Sequence, residues 1–165
     1  MNLSQHLAKH LRDVHYGGNW TCVNLKDSLE GLNFEQANTR VHGFNSIVTL
    51  LYHLDYYFGV VTRVLEGGPV EGKDADSFVH PPVTSEADWQ ALKDKLFADA
   101  ERVAALVAEL PEEKIWATFG MSDKYGNCYR NIQGMTEHLH YHLGQIVLIR
   151  KMVTAAQSVA AGTAV

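Results

Sequence analysis

Cysteine is almost missing from this chain of 165 residues: there are two, Cys22 and Cys128, and no Cys-x-x-Cys. That excludes a disulfide framework, and both residues read as small, semi-buried side chains. Proline is scarce, and three of its four copies, Pro69, Pro81 and Pro82, fall within one stretch, 67–84. Positive charge is in the minority, with 14 Lys and Arg against 19 Asp and Glu and a formal charge of −5. Phosphate binding wants a basic face, so nucleic acid is not expected as a partner. No apolar run approaches the roughly 18–20 residues that span a bilayer, so no membrane is expected either. The opening Met1-Asn2-Leu3-Ser4-Gln5-His6 has neither the basic start nor the apolar stretch of a secretory signal, and the expected location is the cytoplasm. Strand-like alternation of period two persists nowhere, and no internal repeat is visible.

What is present is the material of an ordinary globular core, 46% hydrophobic and 20% charged. One domain is expected over 1–155, with a small-residue tail, 156–165, expected to fray. Apolar residues at helical spacing mark four long helices. The first covers about 2–15 on Leu3, Leu7, Leu11 and Val14, and Gly17-Gly18 ends it. The second covers about 45–66 with a wide apolar face that includes Ile47, Leu50, Leu51, Leu54, Phe58 and Val61. The third starts at Ser85, an N-cap with Asp88 three residues on, and runs on Trp89, Leu92, Leu96, Ala100, Val103 and Val107 until Pro111. The fourth covers about 131–155. Short helical turns are expected over 24–32 and, from the capping-box spacing of Asn33 and Gln36, just beyond. The 112–131 stretch reads as a loop with at most one short turn of helix, packed over one end by its aromatics. The 67–84 connection is longer than a tight helix–helix turn requires. It is long enough to run the length of a bundle, so the fold class is an all-α four-helix bundle with a long crossover between the second and third helices.

Histidine is abundant, with nine copies. Random placement of nine would give about 0.5 pairs at i,i+4 spacing, so one such pair means little by itself. The chain has two. His6 and His10 flank the leucine stripe of the first helix and read as boundary or solvent residues. His138 and His142 differ, because His142 fills the gap in the apolar series Ile132, Met135, Leu139, Ile146, Ile149, Val153 and so points at the core. His53 likewise sits inside the apolar face of the second helix. Buried imidazoles without partners are costly. Two accounts are open: hydrogen bonds within the core, for which Tyr57, Tyr141, Asn131 and Gln145 are candidates, or convergence of His53, His138 and His142 on one metal ion.

The order Leu51-Tyr52-His53-Leu54, a long linker, then His138-x-x-x-His142-x-Gly144-Gln145-Ile146 resembles the DinB-like superfamily of metal-binding four-helix bundles. Its relatives include the bacillithiol transferases and the mycothiol-dependent maleylpyruvate isomerases. The resemblance spans most of the chain. It implies an up-down-down-up bundle, frequent dimers, and a divalent metal, zinc or nickel first and iron or manganese next, held by His53, His138 and His142. Three protein ligands leave a coordination position for water or substrate. The expected function is that of a metal-dependent S-transferase acting on a low-molecular-weight thiol. The alternatives are a metal-dependent hydrolase, a non-catalytic metal-binding stress protein and a metal-free helical dimerisation module. Gln145 is a candidate to orient a ligand, against a helix-packing hydrogen bond. Tyr57 and Tyr141 could support the site but read first as core aromatics. Arg130 could meet an anionic cosubstrate at the site mouth but reads first as a surface residue. Glu137 and His140 are expected on a solvated or boundary face, and the loop Gly17-Gly18-Asn19-Trp20-Thr21 is expected to be structural. A homodimer is expected through the apolar surface of the second and third helices.

Overall fold

The computed structural model describes residues 1–162, with side chains up to Ala155. Seven α-helices are described: α1 Leu3–Tyr16, α2 Leu25–Leu29, α3 Phe34–Asn38, α4 Ile47–Leu65, α5 Glu86–Ala108, α6 Glu112–Trp116 and α7 Cys128–Gly162. Of these α1, α4, α5 and α7 are long and form an all-α bundle. Among the described residues no strand forms, and one isolated bridge joins Thr118 to Asn127. No described helix is long and apolar enough to cross a membrane. The tail expected to fray lies outside the described side chains, and 163–165 lie outside the described residues altogether.

The helix ends follow from local chemistry. Asn2 closes a capping box with Gln5, and Gly17, at φ +107°, lets the chain leave α1. Asn33 and Gln36 form the second capping box, on α3. Ser46 caps α4 through the Thr49 amide, and Ser85 caps α5 through the Asp88 amide. The apolar stripes close one core, in which Leu11, Leu51, Leu54, Phe58, Trp89, Leu96 and Leu139 are almost wholly buried. Each such side chain contributes roughly 1.5–3 kcal/mol relative to exposure. Trp89, the largest, also donates its indole N–H to the Leu32 carbonyl at 2.9 Å.

Pairings across the bundle fix how the helices run. Lys95 pairs with Asp55, and Arg102 with Glu66, so positions on α4 and α5 rise together and the two helices are parallel. Ser4 donates to the Leu110 carbonyl while Arg12 pairs with Glu101, so α1 and α5 are antiparallel. Parallel neighbours need a crossover, and the 67–84 connection supplies it by retracing α4. Gly72 packs against Tyr56 and Val60, the Lys73 amide donates to the Tyr56 hydroxyl, and His80 stacks on Tyr52 near the start of the helix. The crossover is not featureless: a 3₁₀ turn, Asp74–Phe78, lies against α4. The aromatic stretch before α7 holds α6 and a second 3₁₀ turn, Asp123–Tyr125, with Ile115 and Phe119 buried beneath. Among the described residues, exposed large apolar side chains occur on α1 (Tyr16), α6 (Trp116), α7 (Tyr141, Leu148, Met152) and in the connections, Phe44 among them, and none on α4 or α5. The apolar surface expected on the second and third helices is therefore turned inward, because their wide apolar faces are used up by the core.

Candidate metal centre

The α4 helix carries His53 between Leu50 and Leu54, all three buried, and α7 carries His138 and His142 one turn apart. The helices place the three rings together. His138 Nε2 lies 2.9 Å from His53 Nε2 and 2.8 Å from His142 Nε2. Two nitrogens bound to one ion at about 2.0–2.1 Å are themselves about 3 Å apart, so these spacings are of the right size. No other His, Cys, Asp or Glu among the described residues joins this group.

The outer ring nitrogens decide what the inner ones can do. The Ser77 hydroxyl donates to the Asp74 carbonyl at 2.5 Å, so its oxygen accepts from His53 Nδ1 at 2.7 Å. His142 Nδ1 donates to Gln145 Oε1, also at 2.7 Å. A neutral imidazole carries one N–H, so in both rings Nε2 is a bare lone pair aimed at His138. One proton on His138 Nε2 cannot serve both. A cation at the common point would satisfy all three, and the donor set therefore fits a divalent metal. Burial pushes His53 and His138 down to about 4, with neighbouring imidazoles adding to the shift, and burial also lowers His142. The rings stay neutral at pH 7, which is the metal-binding form.

The surroundings are half closed. Phe78 stacks on His53 at 4.3 Å between ring centroids, and Tyr57 stands edge-on to His53 and His138 while donating to Asp74. Beyond His138 a cavity of about 530 Å³ opens between α4, α7 and the crossover, bordered by Tyr57, Val61, Phe119, Arg130, Gly134 and Met135.

A family model described as the DinB superfamily matches residues 20–146. The chain belongs to the DinB superfamily. No curated protein and no solved structure matches it. Membership of the DinB superfamily and the histidine cluster found in the bundle are together compatible with a metal-binding protein.

Other expected residues fall as follows. Gln145 touches His142 rather than a neighbouring helix. Tyr57 bonds Asp74, and Tyr141 is exposed, edge-on to His142. Asn131 donates to the Tyr125 and Asn127 carbonyls and is no partner for an imidazole. Glu137 is exposed at the cavity rim, and His140 is half-buried with its Nδ1 on the Thr136 carbonyl. His6 is exposed and His10 half-buried, away from the cluster. Trp20 is exposed and its loop is structural, tied by Asn19 to the Asp13 and Val23 carbonyls. Sequence reasoning missed Ser77, Asp74 and Phe78. A serine just after two turn-forming aspartates, Asp74 and Asp76, was the sole local signal, and it points to a turn without saying what that turn touches.

Proposed function

We propose that this DinB-superfamily chain is a metal-dependent enzyme that transfers a low-molecular-weight thiol to an electrophilic small molecule. His53, His138 and His142 would hold a divalent ion, zinc or nickel first and iron or manganese next. When bound, that ion supplies a Lewis acid that lowers the pKa of a ligated thiol or water. The chain's own residues do the rest. Ser77 and Gln145 lock the His53 and His142 tautomers, so that both Nε2 lone pairs stay aimed inward. Phe78 shields one face of His53 from water, while the side beyond His138 opens on the cavity. The carrying observation is this combination: three imidazole donors, no fourth protein donor among the described residues, and a substrate-sized space beside them. A structural site is ordinarily closed by a fourth protein ligand. In the transfer, sulfur bonds to the electrophilic atom, and the thiol proton leaves with the displaced group or goes to the adduct.

The test is turnover of a thiol panel with electrophilic acceptors on protein of known metal content. Thiol-dependent product that vanishes with chelator and returns with zinc or nickel supports the reading. Product formed from water alone turns it into a hydrolase. A large fall in melting temperature without any turnover turns it into a stress-related metal binder. Metal well below one ion per chain after reconstitution leaves the helical dimerisation module. The same reading makes the chain a cytoplasmic homodimer, with Phe44, Leu148 and Met152, which border one groove, as the surface a second copy would cover. Sedimentation of the wild type against Leu148→Glu tests that part.

A further inference from the structure

The cavity beyond His138 has walls and a polarity of its own. Val60, Val61, Val70, Phe119 and Met135 make it apolar along its length. Its floor on α7 is Gly134, one turn before His138, where an added Cβ would meet nothing within 4 Å. No neighbouring element requires a glycine there, and glycine weakens a helix interior. Its effect is to keep the floor low between Asn131 and His138.

Arg130 closes the end of the cavity remote from His138, eight residues earlier on the same helix and so about 12 Å along its axis. The guanidinium is held in place without being neutralised. Its Nη1 donates to the Tyr125 carbonyl at 3.1 Å, and its stem lies on Gly126, where a Cβ would sit 3.1 Å from Arg130 Cδ. Among the described ion pairs none gives Arg130 a carboxylate, unlike Arg12, Arg63 and Arg102. Nε and Nη2 therefore remain as charged donors at the rim. Glu137 borders the cavity beside His138 and repels a negative group at that end. The space is thus apolar along its walls and polar at both ends, with only the arginine end set for an anion.

We infer that this cavity is the acceptor subsite and that it takes an elongated small molecule with one terminal carboxylate. The carboxylate pairs with Arg130, the apolar body lies along the valines and Phe119, and the reactive end reaches His138. Low-molecular-weight thiols are polar throughout and match such walls poorly, so the occupant is the electrophile. Assignment to the acceptor rests on the function proposed above; the preference for a carboxylate does not.

The test uses two probes of equal shape, 5-phenylpentanoate and 5-phenylpentanamide, titrated by calorimetry into the zinc-loaded full chain. A charged hydrogen-bonded pair at the rim favours the acid by about tenfold or more. Arg130→Gln should abolish that preference while leaving the amide's affinity unchanged. Gly134→Leu should remove binding of both probes with zinc content kept at one ion per chain. His142→Ala, which impairs the metal site, should retain the preference for the acid; failure of the metal chemistry and failure of the subsite are thus read separately. Equal binding of acid and amide, or no binding of either, overturns the inference. So does a preference that survives Arg130→Gln and disappears with His142→Ala, since the carboxylate would then sit on the ion.

Discussion

Two histidine pairs share one spacing and differ in every other respect. His6 and His10 lie beside the leucine stripe of α1, the first exposed and the second half-buried. The nearest described ring to them is His140, 5.9 Å from His10 between centroids. His138 and His142 lie on the inner side of α7, where His138 Nε2 stands under 3 Å from both His53 Nε2 on the facing helix and His142 Nε2. The pair on α1 has no acceptor behind its rings among the described hydrogen bonds. His142 has Gln145, and His53 has Ser77. Spacing alone thus makes two imidazoles neighbours. A third ring on a facing helix, and acceptors that fix the tautomers, are what make a donor set.

The largest expected effect comes from removing a ring. His53→Ala or His142→Ala should lower bound metal from one ion per chain to below a tenth by elemental analysis, and abolish any metal-dependent turnover. His6→Ala and His10→Ala should leave both unchanged. Metal-loaded wild type should melt about 10 °C above the metal-free chain when free metal exceeds Kd by about a thousandfold, a shift that scanning calorimetry reads directly. Metal loss in His6→Ala to the same degree as in His142→Ala would break the comparison.

A smaller effect should follow from the acceptors. Ser77→Ala and Gln145→Leu keep all three rings and remove what orients two of them. Competitive titration with a chromophoric chelator should show about 10–100-fold weaker metal binding for each. That part of the site was the least legible in the sequence. His53, His138 and His142 could be singled out because a core-facing polar residue interrupts an apolar period, which is visible without any tertiary knowledge. Ser77 and Phe78 sit in a connection whose residues follow no period, and their contact with His53 depends on the crossover retracing α4. The crossover itself could be read from its length and its glycines and prolines; its 3₁₀ turn could not. The caps at Asn33 and Ser85 were readable because a side chain bonds an amide three residues on. The start of α7 was placed late, near 131 rather than Cys128, because Asn127 caps the Arg130 amide within an aromatic stretch that lacks an apolar repeat.

Acid should separate metal-free from metal-loaded protein more gently. Burial holds His53, His138 and His15 at about 4, below the ordinary 6.5 of an unfolded histidine. Between those values the unfolded chain binds more protons than the folded one, so stability is complete above about 6.5 and declines as pH falls towards 4. His15 lies outside the cluster, with Nδ1 on the Leu11 carbonyl and Nε2 buried without a partner. The metal-free chain should lose melting temperature steadily from pH 6.5 to 4.5, and His15→Leu should flatten part of that slope. The smallest effect is expected at the edge of the α1 pair: His10→Ala removes the ring contact with His140 and should shift stability by under about 0.5 kcal/mol in urea melts.

X-ray absorption at the metal edge, on protein reconstituted with zinc or nickel, reads the donor set itself. Three imidazole nitrogens at about 2.0–2.1 Å, with the outer scattering of three rings and a lighter-atom ligand from solvent, are predicted for one ion per chain. Fewer than three imidazoles, a sulfur atom bound to the ion when no thiol has been added, or an ion held below stoichiometry would contradict a centre built from α4 and α7.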